Sequence, residues 1–164
     1  MKFKLRKTDS ESGSEWCWEL LDGGMSTILV GNKFDKPYEA ITDLEKNQFA
    51  IEKASIVNAN GVRIEGDSDE ESPIVFVIRN NKPNVWSWCA LSTSGETVID
   101  SRDTWCAEFD SCESALQAAK HLRMMIAEAG SIDECNIPIN ALRHSNKYCE
   151  RHGLIDTHPM FSDY

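Results

Sequence analysis

Short stretches of the chain alternate apolar and polar residues, which is the period expected of strands with one buried face. Near the start, Phe3 and Leu5 alternate with basic residues. In the next stretch, the apolar positions are Trp16, Trp18 and Leu20, separated by Glu15, Cys17 and Glu19. The glutamates are too polar for a core, so we expect the Trp-x-Trp side to face the helices.

Two later stretches have the period of an amphipathic helix. In 111–129 the apolar stripe consists of Ala115, Ala118, Ala119, Leu122, Met125, Ile126 and Ala129. Asp110 is the predicted N-cap, with Glu113 three residues later. Residues 40–54 carry a weaker stripe, and Phe49 lies off it, which suggests a contact beyond its own half of the chain. A strand is predicted after each helix, at 56–64 and at 132–139.

The chain resembles itself at an offset of about seventy residues. FKLR at 3–6 corresponds to FVIR at 76–79, and EWCWELL at 15–21 corresponds to VWSWCAL at 85–91. Farther on, Tyr38 aligns with Phe109, each just before a helix. The pattern predicts a duplication in which each copy reads strand, strand, strand, helix, strand. Glycines 23 and 24, and Gly95 in the second copy, are expected to supply the positive φ of the hairpin turns.

This arrangement resembles the YegP-like family of tandem-repeat bacterial proteins. The residues that match are Trp16, Trp18, Leu20 and Tyr38 in the first copy, and Trp86, Trp88, Ser101, Phe109 and Ser111 in the second. The sequence departs from the family at Gly31 and Ala90, and the family's Asn-Gly turn is absent from both copies. The resemblance implies an α+β fold with one mainly antiparallel sheet, two helices on one face, and C-terminal strands exchanged between repeats. It implies no catalytic or binding residue.

We accordingly divide the chain into four segments. Residues 1–64 are repeat one, 65–73 an acidic linker, 74–139 repeat two and 140–164 a C-terminal extension. One repeat could bury little surface alone, whereas two repeats that share a sheet form an adequate core.

The net charge of −10 weighs against two classes of partner. Nucleic acids and anionic membranes attract proteins mainly through lysine and arginine, so we expect neither. No apolar run approaches the roughly 20 residues that span a bilayer, and the first residues lack the apolar segment of a secretory signal. A cytoplasmic protein is the expectation.

The six cysteines do not form a recognisable framework. Cys17 aligns with Ser87, Cys89 aligns with Glu19, and Cys106 and Cys112 have no cysteine counterpart. We expect reduced thiols, because a duplicated disulfide scaffold would repeat its bridges. A nucleophilic thiol at Cys106 or Cys112 would need a base, and no histidine lies near either in sequence.

Two other segments contain possible metal ligands. The C-terminal extension holds His144, Cys149, His152 and His158, but in spacings that match no standard zinc site. We expect a short helix that covers a sheet edge or the open face instead. The acidic run contains Asp67 and Asp69, as at the start of an EF-hand loop, yet its glycine and glutamates are not at the positions that this loop requires. It is interpreted as a solvated linker.

These patterns favour a small non-enzymatic binding module that acts through an open sheet face or by self-association, so that its partner is another protein or a second copy of the chain. An enzyme with a cleft between the repeats and a metal-binding tail are the two alternatives. No residue is assigned as catalytic, cofactor-binding or metal-binding, and no cofactor is expected. His121 is expected to be exposed on the polar side of its helix.

Overall fold

The computed structural model describes residues 1–66, 72–104 and 107–139, and its fold class is α+β, as predicted. The strands of these ranges are β1 Lys2–Ser10, β2 Gly13–Leu21, β3 Thr27–Val30, β4 Ser55–Asn58, β5 Arg63–Glu65, β6 Ile74–Lys82, β7 Val85–Ser92, β8 Thr97–Asp100 and β9 Gly130–Ile132. The helices are α1 Pro37–Glu52 and α2 Cys112–Ala127, with a 3-10 turn at Ser101–Asp103. None of the helices in these ranges is long and apolar enough to cross a bilayer.

The strands form two sheets, whereas the resemblance implied a single one. Sheet 1 has the order β3-β2-β1-β9, and sheet 2 has the order β5-β4-β6-β7-β8. The pairings β1–β9 and β4–β6 are parallel, and the other strand pairs of the two sheets are antiparallel. The strand after each helix thus pairs with the other half of the chain, in agreement with exchanged C-terminal strands. The duplication itself stays a prediction.

The described chain forms two compact units that are discontinuous in sequence. Unit 1 comprises residues 1–46 with the described residues from 129 onward, and unit 2 comprises Asn47–Glu128. Unit 1 contains sheet 1 and the first part of α1, whereas unit 2 contains the end of α1, sheet 2 and α2.

Trp18 lies in the core of unit 1, as the alternation predicted. It is only 2% exposed, and its ring meets the edge of Phe3 at 5.7 Å between centroids. Its indole Nε1 donates to a carboxylate oxygen of Asp43 on α1 at 2.8 Å. Trp16 packs against a buried cluster that includes Leu5 and Ile41.

Gly31 makes the position of Trp18 possible. A Cβ at Gly31 would lie 2.2 Å from Nε1 of Trp18, far inside van der Waals contact. The Gly31 backbone N–H also donates to the Trp18 carbonyl at 2.8 Å, which holds the two backbones together. The ring therefore occupies the space of the missing side chain.

In unit 2, Ser101 replaces the glycine and the tryptophan is bonded differently. The Ser101 hydroxyl accepts from the Trp88 backbone N–H at 3.3 Å and donates to the Ala107 carbonyl at 3.0 Å. Trp88 is buried against Phe76, and its Nε1 has no hydrogen-bond partner among the described residues. The two inner tryptophans are thus both core residues, but only Trp18 has its indole N–H bonded.

Several local predictions were wrong by a few residues. Ser111 rather than Asp110 caps α2, because its hydroxyl accepts from the Ser114 N–H at 3.1 Å. Phe34 rather than Tyr38 corresponds to Phe109, since the two phenylalanines exchange backbone hydrogen bonds with Trp16 and Trp86, respectively.

The first hairpin turn and the last strand also differ from expectation. Met25, with φ of 67°, takes the left-handed conformation expected of Gly23 or Gly24, whereas Gly95 takes it in the second hairpin as predicted. The strand expected over 132–139 lies instead at Gly130–Ile132, because Asp133 accepts backbone hydrogen bonds from Cys135 and Ile137 and forms a turn that ends it. Phe49 is 61% exposed, with the Lys53 ammonium 5.8 Å from its ring centroid.

Glu65, at the end of β5, ties that edge strand to α2. Its carboxylate is bonded to Lys120 at 2.7 Å and to Arg123 at 2.8 Å. Burial acts to raise the pKa of the Glu65 carboxyl, but the hydrogen bonds from Lys120 and Arg123 outweigh it and hold that pKa below its ordinary value. Arg123 also donates to the Ala54 carbonyl at 2.8 Å.

We expect Gly31→Ala to lower the free energy of unfolding by roughly 1–3 kcal/mol, because the new methyl group must displace the Trp18 ring and its bond to Asp43. Urea unfolding measures the effect. Gly23→Ala is the matched control, since a Cβ there meets nothing within 4 Å. Equal stability of the Gly31 and Gly23 variants would contradict the assigned packing.

We expect Glu65→Gln to lower the free energy of unfolding at pH 7 by about 1 kcal/mol. Because the folded pKa lies below the unfolded one, the stabilisation is fully present above the unfolded pKa and is lost as the pH falls through the folded value. The difference in the free energy of unfolding between Glu65→Gln and the unsubstituted protein should therefore shrink as the pH is lowered to about 3, where carboxyl groups become protonated. Glu96→Gln, at an exposed position, is the matched control and should leave the free energy of unfolding at pH 7 unchanged.

Candidate functional site

The side of sheet 1 that lies opposite Trp18 carries paired charges. Arg6 bonds to Glu19 at 2.8 Å, and Lys33 bonds to Glu15 at 2.8 Å. Cys17 lies in the same row as Arg6, and burial is the main cause that raises the pKa of its thiol. This face is already neutralised by its own side chains, so it offers little to a ligand.

The corresponding side of sheet 2 is largely aliphatic. The strand register places Val57, Val77 and Cys89 in one row and Val75 and Leu91 in the next. Because successive side chains of a strand point to opposite faces, these residues lie opposite Phe76 and Trp88, which are buried on the other side of the sheet.

This aliphatic side forms an open concavity of about 490 Å³, which we call the valine groove. Its lining residues are Val57, Asn58, Ala59, Gly61, Val75, Val77, Arg79, Asn80, Asn81 and Leu91. Val77 is buried, whereas Val57, Val75 and Leu91 are half-buried and retain apolar surface in contact with solvent. The floor is therefore apolar and the rim is polar, which is the usual composition of a ligand site.

The rim of the valine groove is held by two turns. In the turn after β4, the Asn58 side-chain oxygen accepts from the backbone N–H groups of Asn60 and Val62 at 2.9 and 3.0 Å. At the other turn, the Asn81 amide nitrogen donates to the Ser87 hydroxyl at 2.8 Å. These bonds fix the backbone at both ends of the groove.

Arg79 is the charged residue of the groove lining. The acidic group nearest to it in the sheet, Asp100, is taken by Arg102, whose Nε and Nη2 donate at 3.0 and 2.7 Å. These bonds from Arg102 are the largest cause that lowers the pKa of Asp100, and Arg79 adds a smaller effect. Within the described ranges, the Arg79 side chain makes no hydrogen bond or ion pair.

Cys89 lies beneath this face and is only 1% exposed. Burial is the main cause that raises the pKa of the Cys89 thiol, so the protonated form predominates at neutral pH. Cys17 and Cys112 form no disulfide within the described residues. Cys106 lies outside the described residues.

A second concavity of about 490 Å³ lies on the outer side of α2. It includes the exposed His121 and the cations Lys120 and Arg123, and both cations are already bonded to Glu65. It is a weaker candidate than the valine groove, because its polar groups are satisfied by the protein itself.

The residues that the sequence suggests as metal ligands are not among those that the structure describes. His144, Cys149, His152, His158, Asp67 and Asp69 all lie outside the described residues. Within the described ranges, no group of three or more histidine, cysteine or acidic side chains could hold a metal ion.

The valine groove was not predicted, although a signal for it exists. Residues 74–78 read IVFVI, an uninterrupted apolar run, whereas β1 alternates with lysine and arginine. A continuous apolar run is typical of a strand that is apolar on both faces.

No protein-family model matches the chain, and neither a curated protein nor a solved structure matches it significantly. The resemblance to the YegP-like family stays a prediction.

We expect Cys89 to resist alkylation in the folded protein, because its thiol is both buried and protonated. Iodoacetamide labelling followed by mass spectrometry should modify the exposed Cys135 first and Cys89 only when denaturant is added. Labelling of Cys89 at or above the rate of Cys135 would contradict this environment and would favour the enzyme alternative.

Proposed function

We propose that this protein is a non-enzymatic binding module that takes up an extended, apolar peptide segment of a partner protein in the valine groove. The observation that carries the proposal is the aliphatic floor of Val57, Val75, Val77 and Leu91 on the solvent side of sheet 2. Sheet 1 has a charged face in the same position relative to its tryptophan, so the difference is not a requirement of the sheet itself.

The polar rim favours a peptide over a purely apolar ligand. An extended peptide presents alternate side chains to one face and keeps its main-chain N–H and C=O groups available at the sides. Asn58, Asn80 and Asn81 are polar residues of the groove lining, and Asn81, whose amide nitrogen donates to Ser87, keeps its side-chain oxygen as an acceptor for such groups. A volume of about 490 Å³ is sufficient for a few side chains of this kind.

The expected affinity is modest. Val57, Val75 and Leu91 are already half-buried, so their further burial contributes about 1 kcal/mol each. Ordering a flexible peptide opposes part of this gain. We therefore expect dissociation constants on the order of 1–100 μM, typical of transient recognition.

The enzyme alternative has less support. The two groups of the open face with perturbed protonation are Cys89, whose pKa is raised, and Asp100, whose pKa is lowered. At neutral pH both stay in their ordinary protonation states, whereas a general acid or base works best with a pKa near the operating pH. We therefore place binding ahead of catalysis.

Selection from a displayed library of random peptides, followed by fluorescence anisotropy with the selected peptides, tests the proposal. Val75→Lys and Leu91→Lys should each weaken binding at least tenfold, because an ammonium group would have to be desolvated in an apolar groove. Met124→Lys is the matched control: Met124 is 51% exposed on α2 in the same unit and lies outside the groove, so its substitution should leave binding unchanged.

Thermal melts of the lysine variants confirm that they fold before binding is compared. Peptides that bind equally well to the unsubstituted protein and to both groove variants would refute the groove as the site. Concentration-dependent dimerisation in sedimentation experiments, lost in Leu91→Lys but not in Met124→Lys, would identify a second copy as the occupant and refute the peptide ligand.

A further inference from the structure

We infer that Arg79 determines the specificity of the valine groove by pairing with a carboxylate of the bound peptide, an inference that rests on the proposed function. The ligand class is thus an extended segment with an aliphatic side chain and a carboxylate, from either an acidic side chain or a chain terminus. Arg79 lies in the lining with Val75 and Val77 and on the same strand as both.

Arg79 has no ionic partner in the described part of the protein. Asp100, the nearest acid in the sheet, accepts from the Arg102 backbone N–H at 2.9 Å and from two atoms of its guanidinium. Arg79 on β6 pairs in register with Ser87 on β7, and Asp100 on β8 pairs in register with Cys89 on the other side of β7. Asp100 is thus two strands away from Arg79 and is engaged by Arg102, so Arg79 reaches it only through a weaker, longer-range attraction.

A half-buried guanidinium without a hydrogen-bonded acidic partner is unfavourable beside apolar residues, since it loses hydration and gains only a weak, longer-range attraction to Asp100. A carboxylate that enters the groove can accept two parallel N–H bonds from the guanidinium, the strongest arrangement for this pair. The ligand thereby supplies the carboxylate that the described part of the protein does not place against Arg79.

The strand geometry also predicts the spacing within the ligand. Val77 and Arg79 point to the same face of β6, two residues apart, which corresponds to about 7 Å. Alternate side chains of an extended peptide have the same separation. A ligand with an aliphatic residue over Val77 therefore places the residue two positions away at Arg79, and the preferred pattern is an aliphatic and an acidic residue with one residue between them.

Two random-peptide libraries test this inference, one with free C-termini and one with the C-termini blocked by fusion. The unsubstituted protein should enrich acidic residues two positions from an aliphatic residue in the blocked library. Enrichment in the free library alone would assign the carboxylate to the chain terminus. For the selected peptides, Arg79→Gln should weaken binding about tenfold. Amidation of the peptide C-terminus, or replacement of its acidic residue by the amide, should weaken binding to the unsubstituted protein by the same factor. The modified peptides should bind Arg79→Gln no more weakly than the unmodified ones do.

Charge reversal distinguishes recognition from a structural role. Arg79→Glu should reverse the preference, so that lysine or arginine is enriched at the position where acidic residues were. Lys82→Gln is the matched control, because it removes one exposed positive charge from the same strand outside the groove and should change neither affinity nor preference.

The inference and the proposed function fail separately. Unchanged binding of acidic peptides by Arg79→Gln, with binding still lost in Val75→Lys, would overturn the role of Arg79 and leave the groove as the site. If every groove variant binds as well as the unsubstituted protein, both the role of Arg79 and the groove as the binding site are overturned. Tight binding of dodecanoate that depends on Arg79, without any peptide selected, would assign the carboxylate to a lipid and overturn the peptide ligand.

Discussion

The parallel pairings of β9 with β1 and of β4 with β6 are the contacts on which the rest of the structure depends. Each adds a strand from a distant part of the sequence to a three-stranded antiparallel meander. Without β4, the apolar strand β6 would be an exposed edge, which is a site for uncontrolled strand pairing. With β4 in place, β6 is central in sheet 2 and its valines form the floor of a groove instead of an unprotected edge.

The two sheets use the same inward pattern but differ on their outward side. Both bury a tryptophan at the second position of the Trp-x-Trp segment, and both pair the first tryptophan with a phenylalanine that precedes a helix. Outward, sheet 1 has alternating charges that neutralise one another, whereas sheet 2 has valines. Because the inward residues determine the fold, the outward residues of sheet 2 are free to serve recognition.

Periodicity predicted both helices, most of the strands and the burial of Trp18 and Trp88, because these features depend on residues close in sequence. The number of sheets was not predictable in this way, since alternation indicates which side of a strand is buried but not which strand lies beside it. The conformation of Met25 was missed for another reason. The bonds from Gly24 and Ser26 to the Asp22 side chain set that turn, so the residue at the left-handed position need not be glycine. A prediction of the groove would have required both the apolar run of β6 and the central position of that strand in sheet 2.

The arrangement of Asp100, Arg102 and Arg79 shows why a charge can remain unpaired in a well-packed sheet. Asp100 and Arg102 are two residues apart, so the chain itself brings them together and ordering them requires little additional entropy. Pairing with Arg79 would instead demand that a side chain reach across β7. The local pair therefore forms, and Arg79 is held at the groove by β6 alone. If this position served only packing, an aliphatic residue like Val75 and Val77 would avoid the loss of hydration that a half-buried guanidinium suffers. A partner that brings its own carboxylate removes that penalty, which is the physical basis for assigning recognition to this residue.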